Sequence, residues 1–427
     1  MTHARTGAWL AMLGLLISSA AAAEPIQVRL SYATANTGAE IGIAWNTEGD
    51  EDTVVQYGPT TAYGMEATGT SFLASGKLGY VHEVVLTDLE PSHTYHYRVG
   101  SYTGGWSQDY TFTTGQAETE ECSSFSFVVI GDSRSESERG PSPIFHDVLE
   151  EAIEREEPAF VLHGGDIVHE GEYVHEWGNE LSEIEDITPY VPILYTIGNH
   201  DDGPVQGPDA YYNQVYQLPT NPDSKTGEFA PYADVEDFYY FTYADAIFVS
   251  LSTQTYTDYA MQARWLDQVL TYHPRKWKFV FFHHPIYTSD PFGVFHEPNE
   301  KGQNEYFVPI FDKHHVDIVF TSHNHFYERF EPSYGGWGDE AQPVDDFASG
   351  TVYVVTGGGG ATTAPFTVCS ATGSVTCSGR NHYVSISIEG NKLEYSAWTT
   401  EAQLYGWPRG HIIDAFTILK GGPNPCQ

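Results

Sequence analysis

VLHGGDIVHEGEY, residues 161–173, joins an apolar run to Gly164-Gly165-Asp166 and then, three positions on, to His169. An apolar run that stops at Gly-Asp reads as a strand entering a tight turn. A carboxylate and an imidazole just past its end offer the oxygen and nitrogen donors of a hard or borderline divalent metal. The same grammar recurs downstream of Cys122. FSFVVIGD ends at Asp132, PILYTIGNHD carries Asn199 and His200, KFVFFHHP carries His283 and His284, and VDIVFTSHNH carries His323 and His325. Helical patterns lie between these runs. IFHDVLEEAIERE puts Ile144, Val148, Leu149 and Ala152 on one face, and YAMQARWLDQVL does the same with Met261, Trp265, Leu266 and Val269. Uniformly apolar strands alternating with helices predict an α/β architecture covered on both faces. Ligands in such a fold sit beyond strand ends, so the five ends are expected to converge on one crevice as successive strands of one sheet.

Working outward, residues 26–114 follow a different rule. Short alternating runs such as IQVRLSYA, EIGIAWNT, HEVVLTDLE and YHYRVG are separated by Gly, Pro, Asn and Asp. Seven or so such strands predict an antiparallel sandwich. GQAETEE, 115–121, is polar and acidic and reads as a linker. The first part of 202–245 is irregular enough to overhang a site, and FYYFTYADAIFVSLST, 238–253, reads as two paired strands. The Gly run 357–360 lacks the Lys and Ser/Thr of a phosphate-binding loop and reads as a turn.

A chain of 427 residues exceeds one small core, so two domains are expected. Arg5, the apolar stretch Ala8–Ile17 and the small residues Ala21 and Ala23 have the form of an export signal ending before Glu24. That stretch is too short to span a bilayer, and no longer one follows. The expected division is a signal peptide at 1–23, a sandwich domain at 24–116 and an α/β domain at 117–427, secreted or periplasmic. The net charge is -39, and loss of Arg5 with the signal makes it one unit more negative. Such a field disfavours nucleic acid and anionic membranes as partners. Four cysteines, Cys122, Cys369, Cys377 and Cys426, suit two disulfides in an oxidising compartment. Three pairings exist. Cys369–Cys377 would close a short loop worth about 2.5 kcal/mol in the chain-entropy model, leaving Cys122 for Cys426. The spacing does not fit a zinc site.

Taken together, GD at 131–132, GDxxH at 165–169, GNHD at 198–201, VxxH at 280–283 and SHNH at 322–325 resemble the five metal-binding blocks of the calcineurin-like metallophosphoesterases. FFHHPIYTS and SHNHFYERFEP are similar to the purple acid phosphatases in particular. QVRLSYA, GYVHEVVLTDLEPSHTYHYRVG and WSQDYTFTTG resemble that family's fibronectin-like N-terminal domain. The resemblance runs over roughly residues 26–420. It implies a metallophosphoesterase-type β-sheet sandwich flanked by helices, preceded by an all-β fibronectin type III-like sandwich. Carried over by position, Asp132 and His325 would bind a first metal, Asp166 would bridge, and Asn199, His283 and His323 would hold a second. His200 would stand beside the leaving group, with His296 of GVFHEPNE in the region of a second such histidine. His284 is read as the neighbour of a ligand, and His163, His175, His314 and His315 as structural or exposed.

Three positions depart from the family pattern. Arg134, in GDSR, stands where purple members have Gly and others a ligand His. A guanidinium cannot bind metal, so Arg134 would either hold substrate phosphate in a bidentate fork or pair with Glu136 or Glu138. Ser322 replaces a Gly. His169 stands where the purple members have tyrosine. Phenolate suits a trivalent metal. Neutral imidazole with two divalent ions gives the centre the same net charge as tyrosinate with a trivalent–divalent pair. The resemblance thus implies a secreted phosphoesterase with two divalent ions, Zn, Mn or Fe, in which metal-bound hydroxide attacks a small phosphate monoester. It implies His169 among the ligands, its second nitrogen turned towards Glu170 or Glu172, and no purple colour. Hydrolysis of diesters at the same site, or a non-catalytic extracellular module, are the alternatives. Oligomeric state has no signature in the sequence.

Overall fold

The computed structural model describes residues 24–74, 78–117, 122–135, 142–203, 210–220, 229, 236–254, 258–289, 298–336, 341–344, 346–363, 369–400, 410–422 and 424–426. The expected signal peptide, His296, Glu136 and Glu138 lie outside the described residues.

The N-terminal part is a sandwich of short strands: Ile26–Ser31 (β1), Ile41–Thr47 (β2), Val54–Gly58 (β3), Met65–Thr68 (β4), Thr70–Leu73 (β5), Tyr80–Leu86 (β6), Thr94–Ser101 (β7), Gly105–Trp106 (β8) and Tyr110–Thr113 (β9). One sheet has the order β1-β2-β6-β5, the other β4-β3-β7-β8 with β9 also on β7. All pairings are antiparallel. In β7 the side chains of Tyr95, Tyr97 and Val99 are buried, whereas those of His96 and Arg98 are only half-buried. This is the period-two alternation of a strand with one face on a core. The count exceeds seven because β4, β5 and β8 are too short for alternation to announce them.

The remainder contains Ser124–Ile130 (β10), Pro143–Glu156 (α1), Val161–His163 (β11), Val174–Glu183 (α2), Ile193–Tyr195 (β12), Tyr211–Val215 (α3), Tyr239–Tyr243 (β13), Ala246–Ser250 (β14), Tyr259–Tyr272 (α4), Trp277–Phe281 (β15), Asn304–His314 (α5), Ile318–Thr321 (β16), Tyr327–Phe330 (β17), Ser333–Tyr334 (β18), Gln342–Pro343 (β19), Val352–Thr356 (β20), Ser374–Ser378 (β21), His382–Glu389 (β22), Lys392–Thr399 (β23) and Ile412–Leu419 (β24). Two mixed sheets result, ordered β12-β11-β10-β22-β23-β24 and β13-β14-β15-β16-β20-β17-β21. They pack face to face through aromatics: Phe127 of β10 meets Phe248 of β14 at 5.0 Å and Phe279 of β15 at 5.1 Å between ring centroids. The expectation that the five motif-bearing ends belong to one sheet is therefore corrected. β10, β11 and β12 deliver Asp132, Asp166 and Asn199 from one sheet, and β15 and β16 deliver His283 and His323 from the other. An apolar run records that a strand is buried, not which sheet takes it.

α1 starts on Pro143 and ends at Glu157, whose left-handed φ of 43° lets its N–H close on Ile153 O. α4 is capped by Asp258, which accepts the Met261 N–H at 3.0 Å. α2 had no apolar signature because two of its four buried residues are Glu176 and Glu180. The two parts of the chain share one continuous apolar core. Backbone and side-chain bonds cross between them, among them Leu30 N–H to Thr188 O at 3.0 Å and Tyr97 Oη to Pro189 O at 2.7 Å.

Disulfides join Cys122 to Cys426 and Cys369 to Cys377. The first closes a loop with a sequence separation of 304 residues. Chain-entropy bookkeeping for so long a loop gives a ceiling of about 6 kcal/mol. The double substitution Cys122→Ser with Cys426→Ser is expected to lower the free energy of unfolding by about 2–5 kcal/mol, read from a denaturant titration. Cys369→Ser with Cys377→Ser is expected to cost less.

Candidate metal centre

The loops beyond β10, β11 and β12 are pinned to one another before any side chain reaches the site. Asp132 N–H donates to Gly165 O at 3.0 Å and Arg134 N–H to Asp166 O at 3.1 Å. Asp201, buried and unassigned by sequence reasoning, accepts four backbone N–H groups. Asp166 and Gly198 donate to its Oδ2 at 2.8 Å each, and Ile167 and Val168 donate to its Oδ1 at 2.7 and 3.2 Å. Burial, and then the nearby Asp166 carboxylate, push its pKa up to about 7. Gly198 has no room for a side chain, since a Cβ there would lie 2.3 Å from Asp166 N and Oδ1. The Gly run at 357–360 does more than turn. Gly359 N–H donates to Gly131 O and Ala361 N–H to Asp132 O, both at 2.8 Å, and a Cβ on Gly357 would stand 2.6 Å from Asp132 Oδ2. Asp132, Asp166 and His323 adopt left-handed φ values of 56°, 55° and 68°. That conformation costs an L-residue about 1–2 kcal/mol, and here it turns three donors into one space.

Two groups of donors form. Asp166, His283 and His323 make one, and Asp132, Asp166 and His325 the other, with all ligand atoms of each within 4.8 Å. Asp166 belongs to both. His283 Nε2 lies 3.2 Å from Asp166 Oδ1, 3.0 Å from His323 Nδ1 and 3.1 Å from Asn199 Oδ1. His325 Nε2 lies 3.5 Å from Asp132 Oδ1, a buried oxygen with no hydrogen bond. A carbonyl only accepts, so the ring nitrogen facing it carries the proton. His283 Nδ1 faces Gly164 O at 2.9 Å, His325 Nδ1 faces Thr362 O at 3.0 Å, and His200 Nδ1 faces His169 O at 2.5 Å. These three rings therefore present Nε2 to the site.

The electrostatics call for a cation. Burial would raise the Asp166 carboxyl, but His283, His200 and His323 outweigh it and hold the group well below the usual carboxylate range. Burial would likewise lower His283, but the Asp166 carboxylate overrides it and pushes His283 up to about 9. Converging nitrogens and carboxylate oxygens with backbone-fixed tautomers fit a borderline divalent metal by donor chemistry.

His200 and Arg134 border the donors. His200 Nε2 lies 4.0 Å from Asp166 Oδ2. Arg134 Nε lies 3.6 Å from the same oxygen. His169 is not drawn into either donor group. Its Nδ1 faces Arg134 Nη1 at 3.4 Å. Arginine can only donate, so this nitrogen spends its lone pair on the guanidinium. The glutamate that serves the His169 segment is neither Glu170 nor Glu172 but Glu176. It accepts the N–H groups of His169 and Glu170 at 2.8 and 2.9 Å, through the backbone. His284 is buried and turned away, its Nδ1 2.8 Å from Thr253 Oγ1, while its ring packs 4.3 Å from that of His323. His163 is buried behind the loop, and its pKa is pushed down to about 3 by burial. Replacing Asp201 by Ala would leave four buried N–H groups without their acceptor. It is expected to destabilise the fold by about 2–4 kcal/mol and to increase hydrogen exchange at 166–168 and 198 selectively.

Comparison with known proteins gives the family. Residues 25–114 match the family described as purple acid phosphatase, N-terminal domain, and residues 125–327 match calcineurin-like phosphoesterase. The chain is 27% identical over 348 residues to acid phosphatase type 7 of Danio rerio, covering 73% of this chain and 72% of the relative. It is 26% identical over 300 residues to Fe(3+)-Zn(2+) purple acid phosphatase 12 of Arabidopsis thaliana, covering 66% and 60%. Other Arabidopsis relatives are named probable inactive purple acid phosphatases. A purple acid phosphatase from yellow lupin (Lupinus luteus) seeds shares the fold with a TM-score of 0.73 at 21% identity, over 93% of this chain and 74% of that one. The chain belongs to the calcineurin-like metallophosphoesterases of purple acid phosphatase type, and is a metal-dependent phosphoesterase of that family.

Proposed function

We propose that this protein is a secreted or periplasmic hydrolase of small phosphate monoesters that works with two divalent ions. The observation that carries the reading is the meeting of two Asp/His donor groups at the shared Asp166. Asp132, Asp166 and His325 would hold one ion, and Asp166, Asn199, His283 and His323 the other. Zn, Mn or Fe(II) suit oxygen and imidazole donors. Ions bound there would polarise a phosphoryl oxygen and acidify a water. The two disulfides accord with an oxidising compartment. Among the described residues no helix is long and apolar enough to cross a membrane.

The chain's own groups do the rest. His200 keeps its Nδ1 proton on the His169 carbonyl, so a proton for the departing oxygen travels through Nε2. Arg134 adds a permanent positive charge beside Asp166. It favours a dianionic monoester over a monoanionic diester, and its fork can grip a phosphate oxygen pair. His169 serves as the partner of Arg134 rather than as a ligand, and no phenolate occupies its position.

With Zn, Mn or Fe(II) supplied, hydrolysis of an aryl phosphate is expected. Asp166→Asn and His323→Ala are each expected to lower it by about a thousandfold, the equivalent of roughly 4 kcal/mol, in protein that remains folded by circular dichroism. Turnover close to wild type in either variant would sink the assignment. His200→Ala should slow alkyl esters more than nitrophenyl esters, because a general acid matters most for a basic leaving oxygen. A dianion gains more from a nearby positive charge than a monoanion does. Arg134→Gln should therefore lower the monoester-to-diester ratio of kcat/KM by about tenfold, the equivalent of roughly 1.4 kcal/mol. A wild type that prefers diesters would make the enzyme a diesterase at the same site. Metal analysis with an absorption spectrum should find divalent ions and no intense purple band.

A further inference from the structure

His323 is held the opposite way round from its neighbours. His283 and His325 give Nδ1–H to backbone carbonyls and turn Nε2 inward. His323 turns Nδ1 inward, 3.0 Å from His283 Nε2, and points Nε2 outward. The Glu300 carboxylate stands beside that outward nitrogen at ion-pair distance, its Oε2 3.4 Å from His323 Nε2, without closing a hydrogen bond to it. The other Glu300 oxygen, Oε1, lies 3.4 Å from Lys301 Nζ. The His323 side chain is 3% exposed and that of Glu300 is 30% exposed, so the carboxylate reaches a buried ring from the surface.

We propose that Glu300 is the positioning residue for His323 and sets the strength of the metal position formed by His283, His323 and Asn199. The inference rests on the binuclear reading given above. A neutral imidazole that offers Nδ1 to a cation must carry its proton on Nε2. An anion beside that N–H fixes the tautomer, orients the ring and makes Nδ1 the better donor. Backbone carbonyls do this for His283 and His325, and they cannot be altered by a side-chain change. Glu300 can be. It also sits on a different segment, four residues before α5, and Asn299 next to it accepts the Asn304 N–H at 2.8 Å and donates to Glu305. The strength of this one metal position is thereby tied to the seating of the 298–304 segment.

The test is the binding of Zn(II) to the full chain, measured by stoichiometry and by competition with a graded chelator, for wild type, Glu300→Gln and Glu300→Asp. Wild type is expected to bind two ions. Glu300→Gln should keep one at wild-type affinity and bind the second about 10–100-fold more weakly, with an unchanged unfolding midpoint after chelation. Glu300→Asp should recover most of the loss. Two ions held by Glu300→Gln as tightly as by wild type would overturn the role of Glu300. Equal weakening of both ions would overturn its assignment to His323. A wild type that binds fewer than two ions would instead overturn the binuclear reading, and this role with it.

Discussion

Asp166 must stay ionised where water scarcely reaches, and most of the site follows from that requirement. Its side chain is 2% exposed. The ring edges of His283, His200 and His323 hold it charged, and Asp201 fixes its backbone. The conformation that aims it is left-handed, with Gly165 before it also at positive φ. The two sheets have to face one another for this to work, because the carboxylate comes from β11 and two of its imidazole neighbours from beyond β15 and β16. A single sheet would line such donors along an edge. Two facing sheets bring them to a point.

Much of this was legible in the sequence, for a physical reason. Strands buried on both faces are apolar along their whole length, so the first polar residue past each end stands out. That put Asp132, Asp166, Asn199, His283, His323 and His325 in view together with His169, His200 and His284, and the family resemblance chose among them. What the pattern could not carry was pairing. The same apolar signature serves either sheet, and the side-by-side placement of β10 with β22 depends on residues far apart in the chain, Ser124 opposite Glu389 and Val129 opposite Val384. Asp201 was in view within GNHD, yet its partners are backbone N–H groups, which have no residue type to notice. α2 stayed hidden because Glu176 and Glu180 occupy its buried face in place of apolar residues.

The departures from the family pattern turn out to be linked. Arg134 and His169 are adjacent in the fold, 3.4 Å apart. A guanidinium there stands against Nδ1 of the imidazole that the resemblance assigned to a metal. The guanidinium adds a fixed positive charge beside Asp166 that a glycine at 134 would not. Tyrosine at 169 and arginine at 134 would place a phenolate and a guanidinium together, a different electrostatic design from the one this chain has.

The Cys122–Cys426 bond has a topological meaning as well as an energetic one. It closes everything from 122 to 426 into a covalent ring, which contains every donor of the metal centre, while the N-terminal sandwich hangs outside it as a tail. A single protease cut inside the ring opens it but releases no fragment until the disulfide is reduced. A cut in the tail severs its covalent link to the ring at once. Damage to the catalytic part is thus held together by covalent bonds, whereas the attachment of the sandwich after a break before Cys122 depends on noncovalent contacts, the shared core and the hydrogen bonds across it.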